Sequence, residues 1–285
     1  MRRFPAVAGY FYESDPKALI SRIEWCFKHK LGPGSLPKVS STRIKKSLGY
    51  IAPHAGYIYS GPIAAHSYGK LAEEGKPEVF VIVGPNHTGM GTAVAIMDRG
   101  IWETPLGEAE IDSTFAREIM RNSSYIDSDP SAHMYEHSIE VQLPFLHYLF
   151  GSKISFIPII LMLQTPEVAK DIADAIIKAS EKLGKDYVFI ASTDWTHYEP
   201  HETATKKDSL ALKMVSNIDP EGLYKVVKEM NISTCGYGAV MALLYIARSL
   251  GIKTANILKY ATSGDITGDK AAVVGYAAVR IPLEG

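Results

Sequence analysis

One stretch of the chain restricts its fold more than any other. Residues 79–83 read Val-Phe-Val-Ile-Val, with no polar position among them. A strand with one wet face alternates; an unbroken and mostly β-branched apolar run is the mark of a strand buried on both faces of a sheet. Gly84-Pro85 ends the run, and Asn86-His87-Thr88-Gly89 follows at once. A histidine therefore stands where a buried strand stops. In open α/β sheets, ligands bind outside the carboxyl ends of the strands.

The design occurs twice more. Leu48-Gly49-Tyr50-Ile51-Ala52-Pro53 leads into His54-Ala55-Gly56. Tyr187-Val188-Phe189-Ile190-Ala191 leads into Ser192-Thr193-Asp194-Trp195-Thr196-His197-Tyr198. Three apolar strands thus each deliver a histidine just past their ends, which points to one shared site.

Helical periodicity fills the intervals. Asp15 or Ser14 caps a helix that opens with Pro16 and carries Leu19, Ile20, Ile23, Cys26 and Phe27 on one face. Cys26 is read as a core residue. Ser60 and Pro62 are expected to start a second helix, and residues 166–183, 201–215, 220–230 and 237–250 read as further helices. Strands are expected at 92–98, 154–161, 254–261 and 271–281. A turn is expected at 102–107 and a Gly/Asp loop at 263–269. Pro144, inside a helical pattern that runs through Ile139, Leu143, Leu146 and Leu149, should kink that helix or leave a short first segment before it. Strands alternating with helices along the whole length predict a single α/β domain over 1–285, with a central mostly parallel or mixed sheet flanked by helices.

The bulk numbers agree with that class and exclude others. A chain of 285 residues with 46% hydrophobic and 21% charged residues can bury a substantial core. The balance of 30 basic against 31 acidic residues leaves no nucleic-acid footprint, and Arg43-Ile44-Lys45-Lys46 reads as a surface loop. No run approaches the roughly 18 apolar residues that span a bilayer. Two cysteines, Cys26 and Cys235, make neither a disulfide framework nor a zinc ribbon. The expected setting is cytoplasmic, with no membrane or nucleic-acid partner and a small-molecule or peptide ligand. Neither a phosphate loop nor a Gly-x-Ser-x-Gly elbow is present.

The candidate chemistry rests on His54, His87, His137, Asp194, His197 and Cys235. Imidazole, carboxylate and thiolate are the side chains that hold transition metals, and two histidines with one further donor leave open positions for water or oxygen. Asp194 and His197 can both be ligands, or the aspartate can orient the histidine. Cys235 precedes a predicted helix, where a thiol pKa is lowered, and the Gly-Tyr-Gly after it suits close backbone approach. His137 lies in a polar segment with His133, Glu136 and Glu140 that reads as a pocket wall. His29, His66, His133, His147 and His201 are left as structural or exposed.

At these residues the chain resembles the Memo family. The matching pieces are Ala52-Pro53-His54-Ala55-Gly56-Tyr57 with Tyr59-Ser60-Gly61, Gly84-Pro85-Asn86-His87, Glu136-His137-Ser138-Ile139-Glu140, Ser192-Thr193-Asp194-Trp195-Thr196-His197-Tyr198 and Cys235-Gly236. The opening Arg3-Phe4-Pro5-Ala6-Val7-Ala8-Gly9-Tyr10-Phe11-Tyr12 is similar to the family's start. The resemblance implies a fold similar to class III, LigB-type, non-haem iron ring-cleaving dioxygenases. It also implies a pocket built on His54, His87 and Cys235, with Asp194 and His197 close by. Members are metal-binding redox proteins for which iron or copper is proposed, and a phosphotyrosine-peptide-binding role is proposed in animals. The dioxygenases use two histidines and a glutamate, whereas the third position here is Cys235, a softer donor that oxygen can oxidise.

The expectation is a metal-dependent oxidoreductase. His54, His87 and Cys235 hold iron or copper, Asp194 and His197 orient ligands or move protons, and His137 serves as the pocket acid/base. The alternatives are a non-catalytic ligand- or peptide-binding protein on the same fold, and a zinc-dependent hydrolase.

Overall fold

Burial on both faces decides where the histidine-bearing strands lie. A computed structural model describes residues 1–283, so the last two positions of the expected domain lie outside the described residues. Along the first half run β1 (Arg2–Arg3), α1 (Pro16–Lys28), β2 (Ser47–Ala52), α2 (Tyr57–Glu74), β3 (Val79–Pro85), β4 (Val94–Ile96), β5 (Ile101–Thr104), β6 (Gly107–Ile111), α3 (Ser113–Arg121) and β7 (Asp127–Ser128). Two 3-10 turns, Pro130–His133 and Glu140–Gln142, lead into α4 (Leu143–Phe150). Then come β8 (Lys153–Leu161), α5 (Pro166–Leu183), β9 (Tyr187–Ser192), β10 (His197–Glu199), α6 (His201–Ser216), α7 (Pro220–Glu229), α8 (Tyr237–Ser249), β11 (Asn256–Thr262), α9 (Ser263–Thr267) and β12 (Val273–Pro282).

All strands join one mixed sheet, whose main path is β1-β5-β6-β8-β3-β9-β2-β12-β10. Its centre, β8-β3-β9-β2, is parallel throughout. Every residue of β2 and β3 is buried, as their apolar runs require. Antiparallel β12 covers the β2 edge, and the β5–β6 hairpin lies toward the other end. One group of helices, α1, α2 and α4, packs together, and α3, α5, α7 and α8 form another. The result is a single α/β domain with a mixed, mostly parallel sheet flanked by helices. Among the described residues no helix is long and apolar enough to cross a membrane.

Local chemistry corrects several sequence expectations. Helix α2 begins at Tyr57, not at Ser60, and carries Pro62 inside it. The buried Tyr57 hydroxyl donates to the Val141 carbonyl at 2.6 Å, which anchors the first turn earlier than the proline pattern suggests. At Pro144 the structure takes the second of the two expected outcomes, a short first segment in place of a kink. The proline falls in the first turn of α4, where a missing N–H costs nothing, and the chain before it is a 3-10 turn. Residues 102–107 form most of a hairpin whose turn is only Pro105-Leu106. The Gly/Asp loop contains the short helix α9, closed by a capping box between Thr262 and Asp265. Strand β9 lies between β2 and β3, so β2, α2 and β3 form a βαβ crossover that skips one strand. The Asp15 cap on Ala18 N–H (2.8 Å) and the core position of Cys26 match the reading of α1.

The N-terminal arm is fastened by a buried ion pair. Arg3 and Glu140, both fully enclosed, meet at 2.7 Å, and the Arg3 guanidinium lies 4.1 Å from the centre of the Trp102 ring. Arg3 also donates to the carbonyls of His133 (2.8 Å) and Glu136 (2.7 Å). Glu140 accepts from Ala6 N–H, Val7 N–H and the Tyr12 hydroxyl at 2.9, 3.0 and 2.6 Å. Each charge thus faces a nearly complete set of partners. Removing one leaves the other buried and uncompensated, at a cost of about 3–5 kcal/mol. Arg3→Ala should therefore lower the unfolding free energy by about that amount in urea denaturation. A loss under about 1 kcal/mol, the range of exposed pairs, would contradict this account.

Candidate functional site

Because β2, β3 and β9 are parallel neighbours, their carboxyl ends open on one place. His54 lies two residues past β2, His87 two past β3 and Asp194 two past β9. His137 enters from the segment between the two 3-10 turns. The His54 ring is 5.3 Å from that of His87 and 5.5 Å from that of His137, and the His87 and His137 rings stack at 4.5 Å. One ring nitrogen from each of the three lies within 4.8 Å of the others, an arrangement that can hold a metal ion. A cavity of about 660 Å³ opens over them, walled also by Asp194, His197, Phe11, Tyr59 and Tyr198.

Hydrogen bonds aim these rings. His87 Nδ1 lies 2.9 Å from Glu136 Oε1, and the His87 N–H donates to the other carboxylate oxygen at 2.5 Å. Glu136 also accepts from the backbone N–H groups of His137 and Ser138, each at 2.8 Å. Burial opposes its ionisation, but the bond from His87, the neighbouring histidines and the Ser138 N–H prevail and hold its pKa down at about 2. An ionised carboxylate only accepts, so His87 carries a hydrogen on Nδ1 and turns its Nε2 edge away from Glu136. His197 is fixed likewise, because its Nδ1 lies 2.8 Å from the Ser233 carbonyl.

The electrostatics favour neutral imidazoles. Burial, then the charges of His137, His87 and His197, push His54 well below the usual histidine range. Burial also lowers His137 to about 4, with His87 adding to the shift and Glu136 opposing it. Both are thus neutral near pH 7, the form that binds metals. Asp194 moves the other way. Burial raises it to about 6, although the His54 N–H donates to its Oδ1 at 2.9 Å.

Cys235 stands beside this group. Its Sγ lies 3.3 Å from His54 Nε2 and accepts from the Asp194 N–H at 3.2 Å. Burial and the nearby Asp194 push the thiol up, so the activation expected from the following helix is reversed. Desolvation and a like charge outweigh a helix that begins only at Tyr237. The Gly-Tyr-Gly reading holds: a Cβ on Gly236 would sit 2.4 Å from the Ser192 carbonyl oxygen, and one on Gly238 would sit 2.9 Å from Gln164 Cγ. His29, His66, His147 and His201 each make a local hydrogen bond away from the cavity. The buried His133 packs edge-on to Trp102.

Sequence reasoning did not assign the residues that orient the histidines. Glu136 was noted only as part of a polar wall, and its adjacency to His137 was the available signal. Ser192 lay within a quoted motif without a role, and Gln142 carried no signal at all.

Fold and pocket together define an α/β protein with three histidines that could hold a metal ion at the carboxyl ends of parallel strands. The comparisons narrow that class. A family model described as Memo-like protein matches residues 3–280. A MEMO1 family protein of Ignicoccus hospitalis is 54% identical over 281 residues, covering 99% of each chain. One from Saccharolobus solfataricus is 52% identical over 282 residues, covering 98% of this chain and 99% of that one. Another, from Sulfurisphaera tokodaii, is 50% identical over 282 residues with the same coverage. The chain belongs to the Memo family.

The close seat of Gly236 against β9 should be sensitive to a single methyl group. Gly236→Ala must move the Ser192 carbonyl or the start of α8 and should cost about 1–3 kcal/mol in thermal unfolding. A wild-type melting temperature in that variant would show the contact to be loose.

Proposed function

We propose that this chain is a metal-binding redox protein, an oxidoreductase related to non-haem iron dioxygenases, with iron or copper held in the histidine pocket. The observation that carries the reading is the convergence of three imidazole nitrogens within 4.8 Å at the mouth of a sizeable cavity. Their chemistry fits a metal. His54 and His137 are kept neutral, and Glu136 bonds His87 from behind, in the way metal-ligating histidines are commonly supported. Among the described residues, no Lys or Arg lines the cavity. An anionic ligand thus finds no fixed cation there, which favours the metal reading over a simple anion-binding pocket.

His54 and His87 would hold the ion in either of two donor sets, completed by His137 or by Cys235. Iron or copper would supply one-electron and oxygen chemistry that imidazole and carboxylate lack. The protein's own groups would manage protons and access. Asp194, with a pKa raised to about 6, can take or give a proton near neutral pH. His197, anchored through Nδ1 to the Ser233 carbonyl, lines the cavity beside it. His137, where it is not a ligand, serves as the pocket acid/base.

Two measurements test this reading. Anaerobically purified protein should carry about one iron or copper per chain and lose it in His87→Ala. Zinc instead would favour the hydrolase, and a protein that refuses Fe(II), Cu(I) and Zn(II) would end the metal reading. Calorimetry in buffers of different ionisation enthalpy then separates the donor sets. Neutral histidines release no proton when they bind a metal near pH 7, whereas Cys235 must release one. Glu136→Gln should weaken metal binding by about 10–100-fold, as loss of a ligand's hydrogen-bond partner does elsewhere; unchanged affinity would remove Glu136 from the account.

A further inference from the structure

Ser192, the last residue of β9, is fully buried, and its hydroxyl oxygen has three polar neighbours. They are the Ser138 carbonyl at 2.6 Å, Gln142 Nε2 at 2.8 Å and His54 Nδ1 at 2.8 Å. A hydroxyl has one hydrogen and two lone pairs. The carbonyl can only accept, so the hydrogen goes to Ser138, and the other two contacts must be donated to Ser192.

Gln142 fills one lone pair in a fixed sense. Its Nε2 also lies 3.0 Å from the Pro53 carbonyl, which again only accepts, and its Oε1 receives the Tyr68 hydroxyl at 2.5 Å. Turning the amide round would set oxygen against oxygen at Pro53. The second lone pair is left for His54, whose Nδ1 must then carry the hydrogen. Every donor and acceptor in this buried chain is used, and only one assignment closes it.

We infer that Ser192 is a positioning residue that locks His54 in the Nδ1–H tautomer and leaves Nε2 as a bare lone pair at the centre. No change of charge is involved. The same hydroxyl, through the Ser138 carbonyl, fixes the residue after His137, so one side chain aligns two of the three histidines. Gln142 and Tyr68 extend the arrangement toward α2 and hold Ser192 in that role. Without the Ser192 oxygen, His54 Nδ1–H has no acceptor. The ring then does better to carry its hydrogen on Nε2, facing the Cys235 sulfur 3.3 Å away and closed to a metal. The inference rests on the metal-binding reading only for its effect on affinity; the tautomer stands without it.

The test is nitrogen-15 NMR of histidine-labelled, metal-free protein, followed by Zn(II) titration as the probe of binding. Wild-type His54 should show Nδ1–H and an unprotonated Nε2. Ser192→Ala should move it to Nε2–H and weaken Zn(II) binding at least tenfold, and Ser192→Thr, which keeps the hydroxyl, should retain Nδ1–H. A wild-type His54 found as Nε2–H overturns the inference without any variant, and so does an unchanged tautomer in Ser192→Ala. If the tautomer behaves as expected and wild-type protein binds no Zn(II), Fe(II) or Cu(I), the positioning role stands and the metal reading falls.

Discussion

The buried contact between Arg3 and Glu140 holds the two parts of the molecule on which the pocket depends. On one side is the N-terminal arm, whose Ala6, Val7 and Tyr12 all bond to Glu140. On the other is the segment 133–140, whose carbonyls Arg3 grips at His133 and Glu136. That segment has little regular structure of its own, yet it carries Glu136 and His137. A strand holds its side chains through its ladder; this segment holds them through a charge that belongs to the other end of the chain. The expense of burying two charges is met by dense hydrogen bonding, and the return is a defined path for a stretch that would otherwise have many.

Against that frame the rest of the centre is built on rigid elements. His54, His87 and Asp194 lie just beyond three adjacent parallel strands, and Gly84 and Gly236 let neighbouring chain approach closely. A Cβ on Gly84 would meet the Ser138 side chain at 2.8 Å. The electrostatic consequence is that His54 and His137, which burial keeps uncharged, stand together beside His87 before any ligand arrives. Protonating one would place a cation among its neighbours with little water to screen it. The three ring nitrogens, within 4.8 Å of one another, could hold a metal ion.

Much of this was legible in the sequence because it was written in local patterns. Unbroken apolar runs marked β2, β3 and β9 as central strands, and a histidine or aspartate after each marked the address. Helix limits at α5, α6 and α8 followed from apolar periodicity. What escaped was set by tertiary bonds. Tyr57 starts α2 early because its hydroxyl reaches Val141. The strand order put β9 between β2 and β3, which no local signal encodes. Cys235 was read from the helix after it, while its thiol responds to burial and to Asp194. Glu140 looked like part of a polar pocket wall and is instead the partner of Arg3. Gln142 carried no signal, because an amide's role depends on which atoms surround it.

The arm has a bearing on how the protein is made. Its charged anchor, Glu140, lies some 130 residues downstream, and the pocket takes groups from His54 through Cys235. During synthesis Arg3 must wait until Glu140 has been made before it finds its partner, since contacts so distant in sequence form late. During that interval Arg3 and its aromatic neighbours are solvent-facing and unspecified. The centre is thus completed only once Cys235 has been made, and a chain released before Glu140 would leave the arm unfastened and the histidines unassembled.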